Sequence, residues 1–208
     1  MSFYNEDKET GKAIKPSPVI VVLGLIDNAN HITTAGLKNE GDEIVVAGPT
    51  GLDMGGSEYY RVLGVLDGSP PSIDLKLERK TMKAVLECIK RGYVSSCHDC
   101  SSGGLAIALA EMCIIGNLGA IIDLEKVPAG RLRFDEMLFS ESNSRFIIST
   151  DKPEKILKLF KKHGIPSAKI GDVRAGPLEF SSKRMSFSCL IQDMKKAYGE
   201  AIQRLVEA

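Results

Sequence analysis

Short, unbroken apolar runs alternate with longer segments of helical periodicity along this chain, and this alternation constrains its fold more than any other feature. A run of five to eight residues rich in β-branched side chains is too short for a helix and is typical of a strand buried on both faces. VIVVLGLI (19–26) and EIVVAG (43–48) are runs of this kind. Further strands are predicted over residues 94–98, AIIDL (120–124), RFIIST (145–150), AKIGDV (168–173) and MSFSCL (185–190), the last of which alternates in polarity.

Four segments between or after these runs carry helical spacing. After Asp74, a plausible N-cap, Met82, Val85, Leu86 and Ile89 recur at intervals of three and four residues, and Gly92 lies where the helix should end. Further helices are predicted over 102–115, 153–163 and from about 191 onward. The fold class is therefore α+β with alternating α/β elements: a mixed β-sheet with helices packed on it.

The chain divides at Pro18 on composition. Residues 1–18 are polar and end in KPSP, whose prolines hold the backbone extended, so they are predicted to be a lead-in arm. Residues 19–208 are predicted to be one α/β domain, which at this length can bury a core without disulfides or metals.

Charge and cysteine usage exclude several classes of function. Lysine and arginine together equal aspartate and glutamate at 27 each, so no net field attracts nucleic acid or an anionic membrane. The longest apolar run, 19–26, is too short to span a bilayer, and the first twelve residues are too polar for a secretory signal. Five irregularly spaced cysteines indicate a reducing compartment, so we expect the protein in the cytoplasm.

The segment SSCHDCSSGGLAIALAEM (95–112) holds a Cys-x-x-Cys pair, a histidine and two glycines directly before a predicted helix. A structural zinc site needs four ligands, and Cys97 and Cys100 supply only half of that set, so no metal site is predicted. A redox pair would place its first cysteine at the helix start, whereas Cys97 falls in the preceding strand. Small, partly buried packing residues are the simpler interpretation of both thiols.

An anion site uses more of the residues in this segment. Gly103 and Gly104 would let a ligand approach unpaired backbone N–H groups at the start of a helix, where the helix dipole adds partial positive charge. Ser101 or Ser102 could cap the helix or donate to an oxyanion, and His98 and Asp99 flank the mouth. The alternative, which the residues leave open, is a close helix–strand contact with no ligand.

Two other stretches leave similar alternatives open. Gly55, Gly56 and Ser57 could form a second anion-facing turn, or a tight turn in which Ser57 caps a short helix. LFSESNSRF (138–146) could be a helix-to-strand corner held by side-chain hydrogen bonds, or a polar wall of a cleft.

Four stretches taken in order, SFYNE (2–6), GGSEY (55–59), HDCSSGGLAIALAEM (98–112) and LFSESNSRF (138–146), resemble the C-terminal part of the phosphoribosylformylglycinamidine synthase family in its synthetase-subunit form. The resemblance implies a domain like the C-terminal domain of aminoimidazole ribonucleotide synthetase. It also implies an ATP- and Mg²⁺-dependent ligase of purine biosynthesis, in which a ribonucleotide amide is phosphorylated and ammonia displaces the phosphate. Related superfamily members, such as selenophosphate synthetase, carry different residues at the HDCSSGGL position.

The resemblance further implies that much of the enzyme lies outside this chain. The family's catalytic histidines, nucleotide lysine and metal carboxylates lie in regions with no counterpart here, so no catalytic or metal residue is predicted and the chain alone should be inactive. Expected partners are the missing N-terminal portion, a glutaminase subunit and a small accessory subunit. Ser2 matches a serine associated with substrate, and the predicted phosphate- or nucleotide-binding residues are His98, Asp99, Ser101, Gly103, Gly104, Gly55, Gly56 and Ser57.

Two other hypotheses compete with the ligase. The chain could be a structural or auxiliary nucleotide-binding half of the same or a related enzyme, with glycine loops that only close a packed interface. It could also be a thiol-dependent regulator that uses Cys97 and Cys100.

Overall fold

The computed structural model describes residues 6–13 and 19–200. The chain divides into two compact units, Met1–Asn30 and His31–Ala208. In the first unit, a single bridge pairs Glu6 with Ala13.

The second unit contains the regular structure. Its strands are β1 (Glu43–Ala47), β2 (Ser96–Asp99), β3 (Gly119–Asp123), β4 (Phe146–Thr150), β5 (Ser167–Arg174), β6 (Leu178–Ser181) and β7 (Ser186–Cys189). Its helices are α1 (Glu58–Leu63), α2 (Leu75–Lys90), α3 (Gly104–Gly116), α4 (Phe134–Phe139), α5 (Pro153–Lys162) and α6 (Ile191–Gly199). Short 3₁₀ turns cover Ala29–His31 and Leu124–Lys126.

The described strands form one mixed sheet in the order β2-β4-β1-β5-β3-β6-β7. Strands β3 and β6 are parallel, and the other neighbouring pairs are antiparallel. This confirms the predicted fold class of a mixed sheet with helices packed on it.

Burial on both faces of the central strand explains why its sequence is apolar without alternation. In β1, Ile44 and Val46 belong to a core shared with α3 and α4, whereas Val45 and Ala47 belong to a second core shared with α2 and α5. Successive side chains point to opposite faces of a strand, so a strand covered by helices on both sides needs apolar residues at every position.

The predicted strand over 19–26 is wrong. No strand forms there, and its side chains are exposed, Leu23 to 94%. An apolar, β-branched composition favours extended backbone, but a strand also needs a neighbour for its hydrogen bonds. None of the described strands pairs with this segment.

Most other element predictions are confirmed, with shifts at their ends. Asp74 caps α2 by accepting from the backbone N–H groups of Lys76 and Leu77, at 2.9 and 3.1 Å. The predicted buried face of α2 is partly wrong, because Met82 and Leu86 are each 49% exposed. The residues of α2 that are buried against the core are Thr81, Ala84, Val85 and Cys88.

Candidate functional site

The three predicted site stretches that lie within the described residues meet at the start of α3. Strand β2 ends at Asp99, a loop follows, and α3 begins at Gly104. The corner between α4 and β4 and the turn before α1 both contact this loop through Glu141. Ser2, the predicted substrate residue, lies outside the described residues.

The two glycines before α3 are required by the backbone. Gly103 and Gly104 have φ angles of 78° and 66°, in the left-handed region that favours glycine. A Cβ on Gly104 would collide with the backbone carbonyl oxygen of Ser140. The Gly-Gly pair therefore allows both a turn and a close approach between this loop and the α4–β4 corner.

The side chain of Glu141 joins the loop before α3 to the start of α1. Its Oε1 atom accepts from the backbone N–H of Gly103 at 2.7 Å and from that of Glu58 at 2.9 Å. A carboxylate that accepts backbone N–H groups at a helix start is favourable, because it satisfies donors that have no partner within the helix.

This carboxylate occupies the position at which the anion-site alternative would place a ligand. The Gly103 N–H is bonded to Glu141, and the Gly104 N–H donates to the carbonyl of Ser101 at 3.1 Å. The expectation that these two amides are free is therefore wrong for this structure. We call the position bounded by the backbone N–H groups of Gly103 and Glu58 the Glu141 seat. It binds a negatively charged oxygen, as the anion-site alternative requires, but this oxygen belongs to a protein side chain.

His98, Asp99 and Ser101 form a second polar group beside this seat. The imidazole of His98 lies between Asp99, at 3.3 Å from Nδ1, and Glu111 of α3, at 3.0 Å from Nε2. The hydroxyl of Ser101 donates to the carboxylate of Asp99. This bond is the main reason that the pKa of Asp99 is lowered, and nearby His98 lowers it further.

The turn at Gly55–Ser57 is accounted for by local structure. Ser57 is buried and caps α1, its hydroxyl oxygen accepting from the N–H of Tyr60 at 3.2 Å. Gly56 has a φ of 73°, and a Cβ on Gly55 would collide with the carbonyl group of Ser69. The tight-turn alternative is confirmed, and the Ser57 hydroxyl oxygen is already engaged by the helix.

The stretch 138–146 is a helix-to-strand corner held by side-chain hydrogen bonds. The hydroxyl of Ser140 donates to the carbonyl of Gly51 at 2.7 Å and accepts from the N–H of Asp53 at 3.1 Å. The hydroxyl of Ser142 accepts from the N–H of Gly51 at 2.9 Å and donates to Asp53 at 2.5 Å. These bonds hold the backbone on both sides of Glu141 in place.

Arg145 is a fully buried cation that ties the same corner together, with 1% of its surface exposed. Its guanidinium donates to the carbonyls of Ser142, at 3.0 Å, and Ser140, and to the hydroxyl of Thr50 at 3.2 Å. Burial lowers its pKa, while the charges of Asp53 and Glu141 oppose this shift.

The thiols of Cys97 and Cys100 are free and unsuited to redox chemistry. Burial raises the pKa of Cys97 to about 12 and that of Cys100 to about 11, so neither is a thiolate near neutral pH. The described residues contain no group of three or more histidine, cysteine or acidic side chains that could hold a metal. Among the described helices, none has the length and apolarity to cross a membrane.

Glu141 and Arg145 are the residues that the predicted site left out. Both stand in the LFSESNSRF stretch that the sequence singled out, which was the available signal. The side-chain contacts of Glu141 are to residues far away along the chain, 83 positions from it at Glu58 and 38 at Gly103. Arg145 contacts Thr50, 95 positions away, as well as the nearby Ser140 and Ser142.

Comparison with known proteins identifies the family. Residues 39–182 match the family described as AIR synthase related protein, C-terminal domain. This match covers more than half of the chain, so the chain belongs to that family of α+β domains.

The curated relatives with which the chain aligns are described as phosphoribosylformylglycinamidine synthase subunit PurL. The protein of Thermococcus sibiricus is 46% identical over 168 residues, which cover 79% of this chain and 23% of the relative. That of Methanothermobacter thermautotrophicus is 41% identical over 191 residues, which cover 90% of this chain and 26% of the relative. The chain thus spans about a quarter of the length of these relatives.

Solved structures share the fold. Thermotoga maritima PurL complexed with FGAR superposes with a TM-score of 0.72 at 24% identity, covering 80% of this chain and 30% of that one. The structure of PurLQS from the same organism gives a TM-score of 0.64 at 26% identity, covering 79% of this chain and 27% of that one.

Proposed function

We propose that this chain is the C-terminal α/β domain of a PurL-type phosphoribosylformylglycinamidine synthase. The whole enzyme would be an ATP-dependent carbon–nitrogen ligase that converts formylglycinamide ribonucleotide to its amidine with ammonia derived from glutamine. The observation that carries the proposal is the 46% identity with a curated PurL protein over 79% of this chain.

ATP and Mg²⁺ are proposed as cofactors of the whole enzyme. Matched structures of Thermotoga maritima PurL are complexes with ATP and with ADP. The described residues offer no cluster of metal ligands, so we assign Mg²⁺ to the part of the enzyme outside this chain. When bound there, ATP and Mg²⁺ would supply the phosphoryl group and neutralise its charge.

Within this chain the proposed role is binding and orientation. Gly103 and Gly104, with His98, Asp99 and Ser101, would form a wall of the phosphate cleft, and the turn of Gly55, Gly56 and Ser57 would support it. Since the Glu141 carboxylate is bonded to the Gly103 amide, a phosphate can use that amide only after this carboxylate has moved away.

Further proposals concern partners and location. The upstream part of the same polypeptide, a glutaminase subunit and a small accessory subunit are proposed partners, supported by the matched structure of PurLQS. A cytoplasmic location is proposed from the five free cysteines, three of which are buried.

A chimera tests the ligase proposal. The C-terminal segment of the Thermococcus sibiricus relative is replaced by this chain, and amidine formation is measured with ATP, Mg²⁺, ammonia and formylglycinamide ribonucleotide. We expect turnover from the chimera and none from the 208 residues alone. A folded chimera without activity, or activity from the isolated chain, would contradict the proposal.

A structural half-site is the second candidate function, and the bonded state of the Gly103 and Gly104 amides favours it. On this view, the Glu141 carboxylate permanently replaces a ligand and the loops serve stability. The two candidates differ in whether phosphate can bind once the carboxylate is removed.

A further inference from the structure

A cavity of about 680 Å³ lies away from the residues that contact Glu141. Its walls are the segment that follows the turn Leu124–Lys126, the beginning of α4, and the β6–β7 hairpin. Sites for small molecules in proteins are commonly about 300–1,000 Å³, so this cavity is large enough for a nucleotide-sized ligand.

One wall of the cavity is apolar. Leu124 and Val127 are buried in the adjoining core, and Phe134 and Met137 are partly buried against it. Met185 lines the same space and remains 55% exposed. The ring of Phe134 is held edge-on against the ring of Phe187, with centroids 5.8 Å apart, which gives the wall a fixed aromatic surface.

Four cationic residues line the cavity, and three of them have no side-chain partner among the described residues. Across residues 6–13 and 19–200, the side chains of Arg131, Lys183 and Arg184 make no hydrogen bond or ion pair. The neighbouring Arg133 differs, because it pairs with Asp135 at 2.7 Å and Glu136 at 2.5 Å. Within the part of the chain that the structure describes, one cation of this cavity is therefore neutralised and three are unpaired.

The hairpin that presents two of these cations is held in place. The N–H of Ser182 donates to the carbonyl of Met185 at 2.8 Å, and the hydroxyl of Ser182 accepts from the N–H groups of Arg184 and Met185, each at 3.3 Å. The N–H of Lys183 donates to Glu125 at 3.2 Å. A turn fixed in this way loses little backbone freedom when a ligand binds.

We propose that this cavity binds a small organic phosphate of the nucleoside monophosphate class. The phosphate, with a charge of about −1.5 to −2 at neutral pH, lies among Arg131, Lys183 and Arg184. The ring system lies against Phe134 and Met185. The site is separate from the Glu141 seat, and the inference does not rest on the proposed ligase function.

Calorimetric titration of the whole chain with AMP and with UMP tests this site. Adenosine, which lacks the phosphate, and inorganic phosphate, which lacks the ring, are the comparison ligands. The variant Arg131→Ala/Lys183→Ala/Arg184→Ala removes the cations. The matched control, Lys158→Ala/Lys161→Ala/Lys162→Ala, removes the same charge from exposed positions of α5, outside the cavity lining.

We expect a nucleotide to bind the wild type and the control alike, and the cavity variant at least about tenfold more weakly. Adenosine and inorganic phosphate should each bind less tightly than AMP. Equal nucleotide affinity in the cavity variant and the control overturns the proposal, as does the absence of binding by both nucleotides. Inorganic phosphate that binds as tightly as AMP overturns the assignment to a nucleotide. Circular dichroism verifies that both variants fold.

Discussion

Glu141, in the corner between α4 and β4, connects this corner to the loop before α3 and to the start of α1 by accepting from the backbone N–H groups of Gly103 and Glu58. Gly103 is buried, so its N–H loses its protein acceptor and is hydrated less easily when the Glu141 carboxylate is removed, whereas Glu58 is exposed and its N–H can be hydrated readily. The contribution of Glu141 to the free energy of unfolding should therefore come mainly from its hydrogen bond with Gly103.

The first prediction concerns the stability that Glu141 provides. Glu141→Ala leaves the Gly103 N–H without an acceptor, which costs about 1–3 kcal/mol of unfolding free energy. Glu141→Gln keeps an acceptor oxygen and should lose less. Urea unfolding measures both, with Glu40→Ala as the control at an exposed turn position. Equal stability of Glu141→Ala and Glu40→Ala would show that the observed bond contributes nothing.

The second prediction separates a ligand seat from a purely structural contact. If the seat accepts phosphate, Glu141→Ala exposes the Gly103 amide and removes a repulsive charge, so millimolar phosphate should raise its melting temperature more than that of the wild type. Sodium chloride at matched ionic strength is the control. An identical response of both proteins to phosphate favours the structural half-site.

Thiol chemistry gives a third prediction at the residue scale. With pKa values of about 12 and about 11, Cys97 and Cys100 should resist iodoacetamide at pH 8 in the native state and react after unfolding. Peptide mass spectrometry locates the modified residues. Because folding raises these pKa values, the unfolded chain releases the protons first, and stability should fall as pH rises from about 9. Rapid native modification of this pair would revive the thiol-regulator hypothesis.

Helix α3 depends on the two glycines at its beginning, and this gives a fourth prediction at the scale of the element. Gly104→Ala places a Cβ against the Ser140 carbonyl and strains a φ of 66°, so a cost of about 2 kcal/mol or more is expected. Gly130→Ala is the control, because it has open space and no positive φ. Denaturant unfolding compares the two. A loss no greater than that of the control would contradict the close approach.

Element predictions succeeded where packing on the sheet sets the sequence pattern and failed where it does not. Strands β1 and β4 carry unbroken apolar runs because both faces of the sheet are covered. Strand β6 and helix α4, of four and six residues, were missed, whereas the equally short α1 was predicted because Ser57 signals its beginning. In α2, apolar residues lie on two sides of the helix. Periodicity alone therefore did not distinguish the buried side from the exposed one, and it predicted that Met82 and Leu86 face the core.

The whole molecule consists of a unit that carries its own core and a first unit with exposed apolar side chains. Residues buried in the two core clusters all belong to His31–Ala208, whereas Val19, Leu23 and Leu25 are about 90% exposed or more. Exposed apolar segments of this kind promote association.

The fifth prediction follows from this division. A chain of residues 31–208 should unfold at the same midpoint as the full chain, because its core is retained. It should also show less self-association in sedimentation velocity. The variant Val21→Ser/Leu23→Ser in the full chain is a matched comparison, which should reduce association without shortening the chain. A truncated chain that fails to unfold cooperatively would contradict the division.

The sequence by itself determined the fold class, most of the strands and helices, and the resemblance to a family, because periodicity and short motifs are local properties of a chain. It also identified the glycines before α3, whose backbone angles only glycine adopts easily. Only the tertiary structure decided what occupies their amides. Glu141 reaches Gly103 across 38 positions of sequence, and the distance between such residues is set by how the sheet brings separate segments together.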